Sequence, residues 1–186
     1  MIKMGLQNIF SVPIYTTILN DRIVKYMKNL IIPKLTNLEF KGHQRTDFFK
    51  KTKTVLEKDL FPFFKVLDYV SKEYSKISNI VTSDSINYWI QDYSKNESHP
   101  LHNHTASYIS GIYYIRANKH AGDLRFLNPN PLTYFTKFVN SNKETTFFYV
   151  KPQPGLLLLF PSWLSHEVFP SNSKKCVRTS LAFNFI

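Results

Sequence analysis

Leu101-His102-Asn103-His104 sets two imidazoles two residues apart. The pair follows a loop at Ser94–Pro100 and is expected to enter a strand, which points both rings to one face. Two imidazoles on one face can hold a metal ion, and imidazole suits iron, zinc, copper and nickel. Surface histidines with no ligand role show the same spacing. A third imidazole, His166, lies 62 residues past His104 in Pro161-Ser162-Trp163-Leu164-Ser165-His166-Glu167-Val168. There the apolar run 156–160 ends in a proline turn and His166 begins the next strand. Delivered from a neighbouring strand, His166 would complete a facial set of three ligands and leave positions open for a chelating small molecule and for O2. A histidine hydrogen-bonded at a strand edge fits the same residues.

A further group lies near the C-terminus. In Cys176–Ile186, Val177, Thr179, Leu181, Phe183 and Phe185 face one way, and Arg178, Ser180, Ala182 and Asn184 the other. A face carrying Arg, Ser and Asn among small residues reads as the lining of a pocket. An unpaired internal guanidinium is costly, so Arg178 needs an anion, and its planar fork matches a carboxylate through two parallel bonds. That anion could instead be an internal Asp or Glu, or Arg178 could face outward on an edge strand. Asn87, Trp89 and Gln91 alternate on another strand face and would line a substrate side. Tyr93 is a further candidate for contact with substrate or cosubstrate. Filling the core is a simpler role for Trp89.

The elements that must position these residues divide by period. From Asn20 to about Ile77 the pattern is helical. Asn20 caps a helix whose Ile23, Met27, Leu30 and Ile31 recur at helical spacing up to Pro33. A second helix is expected at about 47–58. A third carries Leu60, Phe63, Phe64, Leu67, Val70, Tyr74 and Ile77 in one stripe. After Thr82 the period becomes two, with strands at Ser85–Tyr93, Ala106–Arg116, Asp123–Leu127, Glu144–Val150, Gly155–Phe160 and Cys176–Ile186. Asn128-Pro129-Asn130-Pro131 and Pro152-Gln153-Pro154-Gly155 are turns between them. The expectation is one α+β domain: residues 1–80 as a helical buttress, and 81–186 as a jelly-roll core carrying the metal site.

Taken in order, His102-Asn103-His104, Ser110-Gly111-Ile112-Tyr113-Tyr114, Pro154-Gly155-Leu156 through Leu164, His166-Glu167-Val168, and Arg178 through Phe183-Asn184 are similar to a known family. They resemble the 2-oxoglutarate/Fe(II)-dependent oxygenases of phages and marine bacteria, relatives of the prolyl 4-hydroxylases. The resemblance covers about residues 85–186, with a weaker likeness at Ile9-Phe10-Ser11-Val12-Pro13. It implies a cupin-like double-stranded β-helix, a mononuclear Fe(II), and hydroxylation of a substrate by O2 with release of succinate and CO2. Under it His102 is the first metal ligand and His166 the last. Arg178 anchors the far carboxylate of 2-oxoglutarate with help from Tyr114, and Ser180 and Asn184 share that cosubstrate face. Strand parity agrees, since without a bulge Tyr114 shares the face of His102 and His104 whereas Tyr113 does not.

One departure stands out. Most prolyl hydroxylase relatives carry Asp or Glu where this chain has His104. Either His104 is the middle ligand, or Glu97, Asp92 or a water fills that position. A cupin-like module that holds a metal and a ligand without turnover is the alternative to an enzyme. A basic interaction protein with incidental histidines is another.

Composition sets the outer bounds. The chain has 186 residues, 43% hydrophobic and 16% aromatic, enough for one packed domain and too apolar for a disordered chain. Cys176 is its single cysteine, so no internal disulfide is possible. No stretch reads as a leader peptide or a spanning helix, so the expectation is a soluble chain in the cytoplasm, or the host cytoplasm if viral. The net charge of +11 is spread out, with 14 Lys/Arg against 7 Asp/Glu in residues 1–80 and 10 against 6 in 81–186. That balance fits a solvated Lys-rich surface, with a nucleic-acid partner as the other reading. The primary substrate and the oligomeric state are not specified by any of these residues.

Overall fold

The computed structural model describes residues 11–35, 57–130 and 146–186. Among them are two helices, α1 (Asp21–Leu35) and α2 (Glu57–Ser78). The strands are β1 (Tyr15–Ile18), β2 (Ile86–Tyr93), β3 (His99–His102), β4 (Ile109–Ala117), β5 (Leu124–Leu127), β6 (Phe147–Val150), β7 (Leu156–Pro161), β8 (His166–Val168) and β9 (Arg178–Phe185). They form two antiparallel sheets. One has five strands in the order β1-β7-β4-β9-β2, the other four in the order β3-β8-β5-β6.

Alternation along the central strands builds three layers from one sequence pattern. On the outer face of the five-stranded sheet, Ile109, Tyr113, Leu157, Leu159, Leu181, Phe183 and Phe185 pack against helix residues Met27, Ile31, Leu60, Phe63 and Leu67. On the inner face, Ile112, Tyr114, Leu156, Leu158, Phe160 and Ala182 pack against Leu124 and Phe126 of the smaller sheet. A one-residue slip of β4 or β9 would exchange these faces, so burial on both sides fixes the register. Gly111 on β4 leaves no room for a side chain: a Cβ there would lie 2.2 Å from the Phe183 ring and 2.7 Å from the Leu158 carbonyl oxygen.

The helical expectations hold with two corrections. Asn20 does cap α1, its Oδ1 accepting a hydrogen bond from the Ile23 N–H at 3.1 Å. The helix does not end at Pro33 but runs to Leu35, because a proline in the last turn removes only one ladder bond. In α2 the stripe residues Leu60, Phe63, Leu67, Val70 and Tyr74 are buried and Phe64 is partly so, but Ile77 is 74% exposed, one residue before the helix ends. The helix expected at 47–58 lies outside the described residues except for its last two, which belong to α2. Residues 144–145 of the expected strand at Glu144–Val150, Pro131 of the first turn, and Ile9 and Phe10 also fall outside them.

The N-terminal region contributes a strand as well as helix, since β1 pairs with β7 from Tyr15↔Leu159 to Ile18↔Leu156. In the turn before β7, Gly155 adopts φ +83°, and its N–H donates to the Tyr114 carbonyl at 2.9 Å. That left-handed position suits glycine. Among the described residues no helix is long and apolar enough to cross a membrane.

Candidate metal centre

His102 and His166 face each other across the antiparallel pair β3–β8, with ring centroids 4.3 Å apart. His104 arrives by another route. The strand precedes the histidine pair and ends at His102, so alternation within a strand does not orient His104 as the sequence suggests. Its backbone is fixed instead by its N–H, which donates to the Ser162 carbonyl at 2.8 Å. The three rings still converge, and one ligand nitrogen from each lies within 4.8 Å of the other two.

Two of the rings have a defined tautomer. His102 Nδ1 lies 2.8 Å from the Pro100 carbonyl, and His166 Nδ1 lies 2.8 Å from the Leu164 carbonyl. A carbonyl can only accept, so each Nδ1 carries the proton and each Nε2 keeps its lone pair for a metal. Burial pushes the imidazoles below their usual range: His166 to about 3 and His104 to about 4, with His102 lowered as well. For His166 and His104 the neighbouring imidazole of His102 adds to the effect. All three are therefore neutral at physiological pH, the state a metal ligand requires.

No carboxylate joins the group among the described residues. Glu97 accepts from the Ser94 N–H at 2.6 Å. Asp92 takes the Thr179 hydroxyl at 2.5 Å and Arg116 at 3.3 Å. Both acidic candidates for the middle ligand are thus engaged elsewhere, and the described donor set is three imidazoles.

The histidines line a cavity of ≈ 20 Å³ between the sheets, together with Trp89, Gln91, Ser110, Phe160, Ala182 and Asn184. His99 also lines it, its ring 4.2 Å from His102. Strict alternation would send His99 and His102 to opposite faces. A register shift between them, three residues on β3 against two on β8, turns both inward. No sequence signal marks that bulge. A wider recess of ≈ 480 Å³ lies beyond Phe126, lined by residues such as Val12, Ile14, Leu127 and Phe148, and among the described residues it offers no imidazole, carboxylate or cation.

Along β9 the polar face separates into two stations. At one end Asn184 lies 3.5 Å from His104 and accepts from Ser110. At the other, Arg178 is 1% exposed, so the outward-facing alternative is excluded. Its guanidinium donates to the Gly122 carbonyl at 3.2 Å and the Tyr114 hydroxyl at 3.4 Å. The rings of Tyr93 and Tyr114 flank it at 4.9 and 5.3 Å. Arg178 Nε has no hydrogen-bond partner, and no carboxylate lies in ion-pair distance among the described residues. Ser180, between the stations, has a buried hydroxyl without a partner among the described residues. Burial raises the phenol pKa values of Tyr93 and Tyr114, partly opposed by Arg178, so both hydroxyls stay protonated and able to donate.

Of the substrate-side candidates on β2, Trp89 stands 5.9 Å from the His104 ring and Gln91 is buried beside the cavity. Tyr93 lies four residues along the strand from Trp89, at Arg178. Tyr113 points the other way, its ring 4.8 Å from Phe63. The parity expectation for Tyr113 and Tyr114 therefore holds on β4, although the histidines themselves are not on that strand.

The chain is similar to known proteins in sequence pattern and in fold. A family described as "Putative 2OG-Fe(II) oxygenase" matches residues 87–184, which span β2 through β9. Among solved structures, a Pseudomonas putida prolyl-4-hydroxylase is similar at TM-score 0.61 and 13% identity, covering 94% of this chain and 88% of that one. A Trichoplax adhaerens prolyl hydroxylase, solved with a hypoxia inducible factor peptide fragment, is similar at TM-score 0.63 and 13% identity, over 93% and 83%. AviO1 from Streptomyces viridochromogenes gives 0.62 and 12%, over 94% and 90%. No curated protein matches in sequence.

Proposed function

Because this chain belongs to the 2OG-Fe(II) oxygenase family, we propose that it hydroxylates a substrate with Fe(II) held by His102, His104 and His166. In this reading the two sheets form the double-stranded β-helix, or jelly roll, that houses the site. The observation that carries the proposal lies on the inner sheet face. It holds three convergent neutral imidazoles at one station and, at the other, a buried Arg178 whose Nε has no partner and which meets no carboxylate among the described residues. The second station is the fit test for 2-oxoglutarate: a buried cation that meets no anion among the described residues suits a dicarboxylate.

When bound, Fe(II) and 2-oxoglutarate together supply O2 activation, with succinate and CO2 as the coproducts. The chain's own residues bind and orient. His102 and His166 offer Nε2, each held in that tautomer by a backbone carbonyl. Arg178 pairs with the distal carboxylate, Tyr114 adds its hydroxyl, and the Tyr93 ring holds the guanidinium in plane. Ser180 provides a further hydroxyl on the path between the stations. Phe126 and Phe160 flank His166 and keep bulk water away from it.

Trp89 and Gln91 line the substrate side. The net charge of +11 favours an acidic or macromolecular substrate. The peptide bound to the Trichoplax relative is in keeping with a macromolecular one. The test is consumption of 2-oxoglutarate with formation of succinate by Fe(II)-loaded protein in air. Turnover lost in His166→Ala and Arg178→Met supports the proposal. Metal and 2-oxoglutarate binding with no succinate formed over a broad panel of peptides and acidic metabolites would point instead to a cupin-like binding module.

A further inference from the structure

His104 differs from its two partners in what holds its ring. His102 and His166 each meet a carbonyl, whereas His104 Nδ1 faces the Asn184 side-chain amide at 3.5 Å. Asn184 is the end of a buried chain: its Oδ1 lies 2.7 Å from Ser110 Oγ, which lies 2.8 Å from Ser162 Oγ. Ser110 and Ser162 are essentially inaccessible to solvent, and Asn184 is nearly so. The same Ser162 binds the His104 backbone N–H through its carbonyl. Two contacts from one polar cluster therefore hold His104.

Counting protons along this chain gives two senses. In the first, Ser162 donates to Ser110, Ser110 to Asn184 Oδ1, and Asn184 Nδ2 to His104 Nδ1. A neutral ring has one proton, so this sense puts it on Nε2 and blocks that atom. In the second, the amide is turned by 180°. His104 Nδ1–H then donates to Asn184 Oδ1, Asn184 Nδ2–H donates to Ser110, and Ser110 donates to Ser162. The heavy-atom positions are shared by both senses, as they are for any amide flip. Only the second frees His104 Nε2, the atom that His102 and His166 also present.

The geometry points to Asn184, backed by Ser110 and Ser162, as the positioning residue for the third metal ligand. Its amide turns over when a divalent ion binds, so His104 is the adjustable ligand of the three. Asn184 then acts on the metal through His104 and is not a contact for the cosubstrate. The inference rests on the metal centre proposed above.

Two measurements test it. The first uses protein labelled with ¹⁵N-histidine, metal-free and loaded with Zn(II), with the His104 signals identified by their loss in His104→Gln. Long-range ¹H–¹⁵N correlation should show the proton on Nε2 in the metal-free protein and on Nδ1 in the Zn(II) form. An unchanged His104 tautomer overturns the inference.

The second is a Co(II) titration followed through its ligand-field absorption. Asn184→Asp can only accept from the ring, and should tighten Co(II) by about tenfold, while Asn184→Leu weakens it by about 10- to 100-fold. Both effects should shrink to within about twofold in a His104→Ala background. Effects that persist there would mean that residue 184 acts directly or only through folding, and would also overturn the inference. Co(II) binding that never depends on His102 or His166 would sink the metal centre itself, an outcome separate from either of these.

Discussion

Arg178→Met isolates the proposed cosubstrate anchor from the fold. Methionine keeps an apolar stem between the Tyr93 and Tyr114 rings and deletes the charge. In cosubstrate-free protein two opposing effects are removed together. One is the burial cost of a guanidinium with no carboxylate partner among the described residues, several kcal/mol. The other is its two hydrogen bonds from a charged donor, about 1.5 kcal/mol each, and two ring contacts of about 1 kcal/mol each. These nearly offset, so stability should change by no more than about 1 kcal/mol, or about 2–4 °C in Tm for a chain of this size. Binding should behave differently. Two charge-assisted hydrogen bonds to a carboxylate contribute about 3 kcal/mol or more, so Kd for 2-oxoglutarate should rise by about 100-fold or more.

Linkage converts this into a thermal signature. At 100 times its Kd, 2-oxoglutarate stabilises the unaltered protein by about 3 kcal/mol, whereas the variant at the same concentration gains only about 0.4 kcal/mol. The assay is a scan of Zn(II)-loaded protein with and without 2-oxoglutarate, alongside succinate as a control ligand. An equal 2-oxoglutarate shift in Arg178→Met and the unaltered protein would refute the anchor. A collapse of the metal-loaded variant without ligand would refute the claim that the two costs offset.

Three further outcomes follow from the same geometry. Tyr114→Phe removes one neutral hydroxyl beside Arg178, so 2-oxoglutarate affinity should fall by about fivefold, far less than for Arg178→Met, as read by the same thermal shift. Acid should weaken the metal-free fold. The unfolded chain takes up protons on imidazole near pH 6.5 that the folded His166, at about 3, refuses. Stability is thus fully present above pH 6.5 and lost as pH falls, by about 2 kcal/mol between pH 7 and 5 for His166 alone in urea titrations. Stability that is flat or rises over that range contradicts the depressed pKa. Gly111→Ala should cost about 1–3 kcal/mol in the same titrations, because the Phe183 ring and the Leu158 carbonyl leave no room for a methyl group.

Much of the site was legible because it is written in strand alternation. The period-two pattern of β9 separated Arg178, Ser180 and Asn184 from Leu181 and Phe183, and each set lies on its expected side. The choice between Tyr113 and Tyr114 followed from the same rule. What escaped the sequence is what breaks alternation. His99 turns inward through a bulge, which depends on pairing with β8 and leaves no local mark in the residues. His104 reaches the site from a loop, held by a backbone bond to Ser162 that lies 58 residues away in the sequence. Pro33 was read as a stop, but burial of Ile31 and Leu35 against the sheet carries α1 past it. Asn184 was readable as an inward polar residue, whereas its partnership with His104, Ser110 and Ser162 exists only once the strands are paired.

The central claim is that one centre, built by His102, His104 and His166, takes Fe(II) and 2-oxoglutarate together. Its most direct measurement is the visible absorption of anaerobic protein as Fe(II) and then 2-oxoglutarate are added. A charge-transfer band should appear only when both are present, vanish in His166→Ala, and require far more 2-oxoglutarate in Arg178→Met. No band in the unaltered protein, or one indifferent to His166→Ala, would contradict the account.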